Sequence, residues 1–595
     1  ELTDEITEEI GTALGFISTF LLVFAAISLF VGAFIIANTF SMLVAQRTRE
    51  LALIRAVGAR RAQVLRMVLG EAVVVGLVGA ALGLLVGVGL AAGLQQLLTS
   101  FGLEAGGDLP VRGRTVLLSL LVGTVVTLLA AVVPAVRASR AAPVAAMRDE
   151  PVSPKGVRLR GALGTVGVLL GVVALVFGLR EEVTWPLVTT GAVVVVLGVL
   201  VAAPMATRPV VRLVCAPFVV LSGTVGRLAR ENSLRNPRRT AATATALTIG
   251  LALMAGLSVL AESTKASVSD IVDSEVTADF VLDAGGMAMV PPTVAEQVAR
   301  LDGVRSVAAL SGVPMVVARD TEYAMAVDPT EIAQTLRMEV SSGALRSLDD
   351  GQIMVSESLA RDRGWSVGSS VKARVGTLAE RALTVGGVFA DSELLGDVLV
   401  PPQLYREAVP LPNRNGFALL VGAEDGTDLA ALRASLVTAV KPFLVVSVQD
   451  GEEYAAAQAG QVNQVLTILY VLLALSIVIA VLGIINTLAL SVLERTREIG
   501  LLRAVGLARG QLFRMITIEA VATALFGAVL GAALGLGLGI ALQRGLVGEG
   551  LEVLSVPWLQ LAVVLVGAAL AGVIAAVVPA WRAVRLDVLR AITTE

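Results

Sequence analysis

Asn38-Thr-Phe-Ser-Met-Leu-Val-Ala-Gln-Arg-Thr-Arg-Glu-Leu-Ala-Leu-Ile-Arg-Ala-Val-Gly58 has a near-copy later in the same chain. The copy reads Asn486-Thr-Leu-Ala-Leu-Ser-Val-Leu-Glu-Arg-Thr-Arg-Glu-Ile-Gly-Leu-Leu-Arg-Ala-Val-Gly506. The match continues through Arg66 and Arg514, then Glu71 and Glu519. It ends in the tails Val-Val-Pro134-Ala-Val-Arg137 and Val-Val-Pro579-Ala-Trp-Arg582. A duplicated module inside apolar sequence predicts a pseudo-symmetric membrane machine whose halves present the same charged handle to the same kind of partner.

Working outward, the 595 residues are 56% hydrophobic, with a mean hydropathy of +0.83. Apolar runs of about 20 residues, the length that crosses a bilayer, recur along the chain. The expected fold class is therefore a polytopic α-helical membrane protein of about nine spans. The spans are placed at 14–44, 69–98, 114–135, 161–179, 186–206, 240–262, 464–492, 516–543 and 557–580. The basic side chains of 45–68, 136–160, 207–239 and 493–515 fall on one side of this threading. The positive-inside tendency makes that side cytoplasmic, with the C-terminus, and makes the location a cell membrane crossed many times.

The chain has one cysteine, Cys215, and no histidine. An internal disulfide, Ser-His-Asp catalysis and a His-ligated metal are excluded, and no catalytic or metal residue is assigned. No nucleic-acid partner is expected either.

Residues 263–455 differ in character. They alternate strand-like runs (Phe280-Val-Leu, Gln352-Ile-Met-Val-Ser, Val398-Leu-Val) with helix-like runs at Thr293–Leu301 and Leu429–Val440. They carry about 12 more acidic than basic side chains. An extracytoplasmic α+β domain of two subdomains is expected, open to an exterior protein or peptide. The remaining organisation is a first three-span module at 14–148, a two-span linker with a basic segment at 149–239, a lever helix at 240–262 and a second three-span module at 456–595. Within the linker, 207–239 reads as a basic, partly amphipathic segment on the inner membrane face, in contact with lipid. The second module is preceded by a span and an exterior domain, the first only by the acidic residues 1–13. The expectation is that 1–13 is the linker from a further span and exterior domain ahead of it.

Within the handle, Leu51, Ile54, Val57, Val64, Leu65 and Val68 form an apolar helical stripe and Arg and Glu take the other face. Gly58 and Gly506 supply the bend where the chain turns back toward the membrane. Topology requires positive charge but no particular residue order, so a copy this faithful implies a docking role. The candidates for that contact are Arg47, Arg49, Glu50, Arg55 and Gly58, with Arg495, Arg497, Glu498, Arg503 and Gly506. Gly79, Gly83 and Gly87, and their counterparts Gly527, Gly531, Gly535 and Gly539, recur at every fourth residue and allow close helix packing. Asn38 and Asn486 are placed for interhelical hydrogen bonds. Glu71 and Glu519 sit where a span leaves the surface, with Arg47, Arg66, Arg495 and Arg514 as expected partners.

The pattern (Glu/Gln)-Arg-Thr-Arg-Glu-(Ile/Leu)-x-Leu-(Ile/Leu)-Arg-Ala-Val-Gly, with Gln63-Val-Leu-Arg66 or Gln511-Leu-Phe-Arg514 and then Glu-Ala, resembles the FtsX/MacB family of ABC transporter permeases. The resemblance covers 14–148 and 464–595 closely, and 263–455 more loosely as a MacB-type core domain. It implies a permease subunit of a type VII, mechanotransmission ABC system, which exports or extracts a lipid-like, lipoprotein or peptide substrate. It also implies a separate ABC ATPase as partner, in two copies here because the module is doubled. No Gly-x-x-x-x-Gly-Lys-(Ser/Thr) loop occurs, so ATP would be bound by that partner and no cofactor by this chain, which is then not itself an enzyme. The alternative is a transmembrane signalling or scaffold protein that regulates a cell-wall hydrolase or senses peptides.

Overall fold

The architecture comes from a computed structural model, which describes residues 47–100, 111–140, 155–180, 183–285, 289–317, 320–443 and 445–586, with 22, 25, 28–30, 32–37, 39–41, 43 and 44 of the N-terminal segment. It divides into two compact units. The first, helical unit takes the chain up to Gly256, then Tyr470–Leu538 and the part from Trp558 onward. The second takes Leu257–Leu469 and Gly539–Pro557.

The helical unit begins, after the N-terminal segment, with α1 (Thr48–Ala56), α2 (Arg61–Ser100) and α3 (Gly113–Arg140). There follow α4 (Lys155–Gly178), α5 (Trp185–Ser222), α6 (Thr224–Arg235) and α7 (Pro237–Glu275). Past the sheet come α13 (Gly451–Glu494), α14 (Thr496–Ala504), α15 (Arg509–Gly545) and α16 (Trp558–Val584). Eight of the described helices are long and apolar enough to cross a membrane, and each coincides with an expected span. The ninth, at 14–44, falls largely outside the described residues; those described between Ser28 and Ser41 are helical.

Hydropathy misplaces three boundaries. The span expected to stop at 206 continues as α5 to Ser222, through Pro204, Pro209 and Pro217. Each proline removes one backbone donor, yet a 38-residue helix tolerates the loss where neighbouring helices hold it. The basic amphipathic segment is therefore the end of α5 plus α6. The helix expected to stop at 262 runs on to Glu275. Its extension is polar in composition but buries Ser263, Ser267 and Val272. The helix expected from 464 starts at Gly451.

Small residues set the packing. In the α4–α5 hairpin, a Cβ on Gly171 would lie 2.8 Å from the Gly191 carbonyl oxygen, and one on Gly198 2.7 Å from the Val168 nitrogen. Only glycine lets the two backbones come this close. In the second module, α7, α13, α15 and α16 share one core built around Leu247, Leu251, Ile484 and the alanines Ala520, Ala524 and Ala576.

The second unit holds a ten-stranded sheet. Its strands are β1 (Phe280–Asp283), β2 (Val304–Val317), β3 (Asp320–Ala326), β4 (Val340–Gly343), β5 (Ile353–Ser356), β6 (Ser370–Val375), β7 (Arg381–Phe389), β8 (Val398–Val400), β9 (Ala418–Ala423) and β10 (Ser447–Gln449). The order is β10-β1-β9-β2-β3-β8-β5-β7-β4, with β6 bridging β2 and β7. Interleaved helices are α8 (Pro292–Val298), α9 (Pro329–Thr335), α10 (Glu357–Arg363), α11 (Pro402–Ala408) and α12 (Leu429–Val440). The two expected subdomains are not separate: the region is one compact unit with a single sheet, whose two parts are joined by the 14-residue β2. Its first part pairs with β9, and its second part with β3 and β6. A core of Phe280, Leu282, Leu432 and Leu436 lies on the first side. A core of Val313, Met315, Val355 and Val398 lies on the second. In the same unit the extended stretch 551–556 runs along α7: Ser267 Oγ accepts from the Val553 N–H at 3.0 Å and Ser263 Oγ from the Ser555 N–H at 3.1 Å.

Candidate functional site

The two handles fold into the same elbow. Helix α1 and helix α14 each span nine residues, with Glu50 or Glu498 in the first turn and Arg55 or Arg503 in the last. These placements suit the helix dipole, which favours acid at the start and base at the end. Both elbows end on a glycine with positive φ, +114° at Gly58 and +108° at Gly506. That backbone region is costly for any residue with a Cβ. The turn back into the next helix is also copied: Gln63 Oε1 accepts from the Arg60 N–H at 2.8 Å and Gln511 Oε1 from the Ala508 N–H at 2.9 Å.

Each elbow is tied to the bundle by an arginine at the N-cap. Arg47 donates to both Glu71 carboxylate oxygens at 3.0 Å and pairs with Glu50 at 3.4 Å. Its twin Arg495 pairs with Glu498 at 2.9 Å and reaches Glu519 at 3.7 Å. Of the expected partners of the two boundary acids, the N-cap arginines are the ones that form these pairs, while Arg66 and Arg514 are exposed. Glu71 is half-exposed and Glu519 is buried.

The second elbow and the end of α13 carry further ties from α6 and the start of α7. Arg235 pairs with Glu498 at 2.8 Å, and Arg239 pairs with Glu494 at 2.8 Å and donates to Ser491 Oγ at 2.6 Å. Arg495 also donates to Asn232 Oδ1 at 2.8 Å. Arg503 donates to the carbonyl oxygens of Val584 and Leu586, closing the end of α16. The hydrogen bonds from Arg495 and then Arg235 hold the Glu498 carboxyl below the usual carboxylate range. Thus Arg495, Glu498 and Arg503, read from the sequence as outward contacts, hold the elbow in place. Arg497 is exposed. The Arg49 side chain lies outside the described residues, as does Asn38. Asn486 donates to Thr39 Oγ1 at 2.9 Å, an interhelical hydrogen bond of the expected kind.

The outward face is apolar. Leu51 is buried, but Leu53 and Leu501 are largely exposed, and Val57 and Val505 stand out at 90% and 89%. The apolar stripe read from the sequence therefore splits: Leu51, Val64 and Val68 face inward, and Val57 faces out. Leu53, Leu501 and Val505 were not singled out from the sequence. The signal was present in the repeat, where a bulky aliphatic is retained four residues apart in both copies immediately before the glycine.

The glycine stripe also divides. Gly527, Gly531 and Gly535 pack on α7, while Gly79, Gly83 and Gly87 have no described neighbour where a Cβ would sit.

A duplicated elbow on a bundle of long apolar helices, in a chain that also holds a mixed α+β domain, makes a membrane protein built of two like halves. Residues 22–143 and 470–588 match the FtsX-like permease C-terminal family, and 240–439 match the MacB-like periplasmic core domain. An uncharacterized ABC transporter permease protein of Mycobacterium tuberculosis is 26% identical over a 554-residue alignment that covers 84% of this chain and 60% of that protein. The chain thus spans about 60% of the length of this relative. The macrolide export ATP-binding/permease protein MacB of Escherichia coli K12 is 36% identical over 131 residues, 22% of this chain and 19% of that one. The periplasmic region of MacB from Actinobacillus actinomycetemcomitans aligns at 14% identity over 30% of this chain and 90% of its own, with a TM-score of 0.24. The chain thus carries two FtsX-like permease regions and a MacB-like periplasmic core domain, on helices long and apolar enough to cross a membrane many times.

Proposed function

We propose that this chain is the permease subunit of a mechanotransmission ABC system and that its two elbows are where a separate ATPase pushes. The observation that carries this reading is the duplicated elbow with Val57 and Val505 exposed at the same position beside a positive-φ glycine. An exposed aliphatic on a rigid, tied-down helix suits an anchor for a partner's groove. Two elbows in one chain take two ATPase subunits, and their closure on ATP draws the elbows together. Helices α7 and α13 carry the chain from the helical unit to the sheet domain, so movement of the bundle is passed on to that domain. The elbow side is cytoplasmic and the sheet domain is outside. The spans are poor in charge, which disfavours a wide polar conduit. A lipid-like, lipoprotein or peptide substrate, handled at the outer leaflet, fits that chemistry.

The test is charge reversal at both Arg49 and Arg497, with the membrane-inserted chain and its ATPase co-expressed. Association and stimulated ATP hydrolysis are expected to be lost while the chain stays in the membrane at its normal level. Undiminished co-purification of the ATPase would show that the elbow is not the docking element.

A further inference from the structure

The chain enters and leaves the sheet at one end. Helix α7 runs into β1 and β10 runs into α13, and both strands lie at the β10 end of the strand order. Strands β8, β5, β7 and β4 form the opposite end. None of these four is preceded or followed in the chain by a membrane-length helix. They are reached instead by contacts at the β7–β8 loop, residues 390–397.

Three elements converge on that loop, all within one compact unit. Ser392 Oγ donates at 2.5 Å to the carboxylate of Glu275, the last residue of α7, and accepts from the Leu395 N–H at 3.2 Å. Leu395 is buried in a core against which Tyr454 of α13 packs. The third element is the strap between α15 and α16, residues 546–557. Its Gly550 has a φ of +87°, and a Cβ there would lie 2.6 Å from Glu393 Oε2. Glycine is thus required at this position on two grounds, by the backbone and by the carboxylate against it. The strap is fixed on its other side too. Buried Gln543 of α15 donates to the Leu551 carbonyl oxygen at 2.6 Å, and the N–H groups of Val553 and Ser555 bind the α7 serines. The loop in turn is braced against the far strands and α10. Ser356 Oγ donates to Asp397 at 2.7 Å, Asp391 accepts from the Ser358 N–H at 2.9 Å, and the Ala390 N–H donates to the Glu339 carbonyl oxygen.

We infer that the β7–β8 loop is the joint by which α7 and the α15–α16 strap take hold of the far end of the sheet, with Ser392 and Glu393 as its positioning residues. Displacement of α7 or of the strap then reaches β5, β7 and β8, and α10 packed on their core, without passing through β1, β9 and β2. The inference rests on the transport reading and deepens it. It adds the strap to the two helices continuous with the sheet domain and names the residues that receive its movement.

The one cysteine, Cys215, is buried, so a dye can be attached selectively to a cysteine placed at exposed Asp362 of α10 or at exposed Glu296 of α8, which packs on the core at the β1 end. The full chain, labelled at one site, is reconstituted with its co-expressed ABC ATPase and given a non-hydrolysable ATP analogue. In the parent, the emission of both dyes should shift. In the double variant Ser392→Ala and Glu393→Ala, the shift at 362 should be lost and that at 296 kept, with the ATPase co-purifying as in the parent. Gly550→Val, which breaks the Glu393 contact from the strap side, should reduce the shift at 362 and leave that at 296. An undiminished shift at 362 in the double variant, an equal loss at both sites, or no shift at 362 in a parent that holds the ATPase would each overturn the inference. A parent that fails to hold the ATPase at all would overturn the elbow reading, and this inference with it, and the missing subunit tells that failure apart from the others.

Discussion

Glu498 shows how the elbow residues divide their labour. The sequence ranks it with the docking charges, but in the fold it joins Arg495 to Arg235 and so ties α14 to α6. The two arginines stabilise its charged form and hold its carboxyl below the ordinary value of 4.5. A lowered folded pKa means the contribution is complete above that ordinary value and disappears as pH falls through the lowered one. The side chain is 43% exposed, so solvent screening limits the tie to less than about 1 kcal/mol. Glu498→Gln should therefore lower the melting temperature slightly and by a constant amount between pH 7 and 5. The gap from the parent should close as the pH drops below 4.5. A gap that widens on acidification would mean that charge does not hold the elbow. Val57 and Val505 divide the labour the other way: they make no comparable tie and stand in the open, where an anchor for another protein belongs.

Whole helices in this protein are placed by what their glycines exclude. In the α4–α5 hairpin, a Cβ on Gly198 would meet the Val168 nitrogen at 2.7 Å and the Gly164 carbonyl oxygen at 3.0 Å. Both are backbone atoms that cannot swing aside. Gly198→Val should push the helices apart and destabilise the protein by about 1–3 kcal/mol, the usual range for overpacking. Gly89→Ala on α2, where a Cβ would meet no described atom within 4 Å, should be neutral or stabilising by about 0.5–1 kcal/mol. Thermal unfolding of the two purified variants separates these outcomes, and equal behaviour would show that the hairpin is not held by close approach. This is also the scale at which the sequence stops being legible. The elbows could be read because duplication marked them residue by residue, and the spans because about 20 apolar residues have few other uses. The strands at Phe280, Ile353 and Val398 showed as short apolar runs. Strand β2 did not, because Ser306, Ser311, Gly312 and Pro314 interrupt it and its long pairing is decided by partners distant in the chain. The ends of α5 and α7 were misjudged because hydropathy registers composition, whereas a helix continues wherever its backbone bonds and buried serines are satisfied. The two glycine stripes look alike in the sequence, and only the arrangement of neighbouring helices shows that Gly527, Gly531 and Gly535 pack on α7 while Gly79, Gly83 and Gly87 meet no described atom.

Across the whole molecule, two elbows of matching geometry sit in one chain, each held by ion pairs. The first is tied through Arg47 to Glu50 and Glu71. The second is held by Arg495 and also by Arg235, Arg239 and Arg503. If the proposed ATPase pair closes as a unit, force on the bundle requires both elbows to be engaged at once, and the weaker contact sets the output. Placing aspartate at an exposed aliphatic anchor would bury a charge in the partner's groove without a counter-ion, a loss of several kcal/mol. Val57→Asp, Val505→Asp and the double variant should then fall together, each losing about tenfold or more of permease-dependent ATP hydrolysis in reconstituted membranes. Independent elbows predict something different: each single variant would keep about half of the stimulation, and only the double would lose it. Three matched curves separate the two cases, because unit-like action is revealed by single and double substitutions having equal effect. If stimulation is halved by each single variant, the halves work separately and the paired-closure account fails, even though the elbows would still be the docking sites.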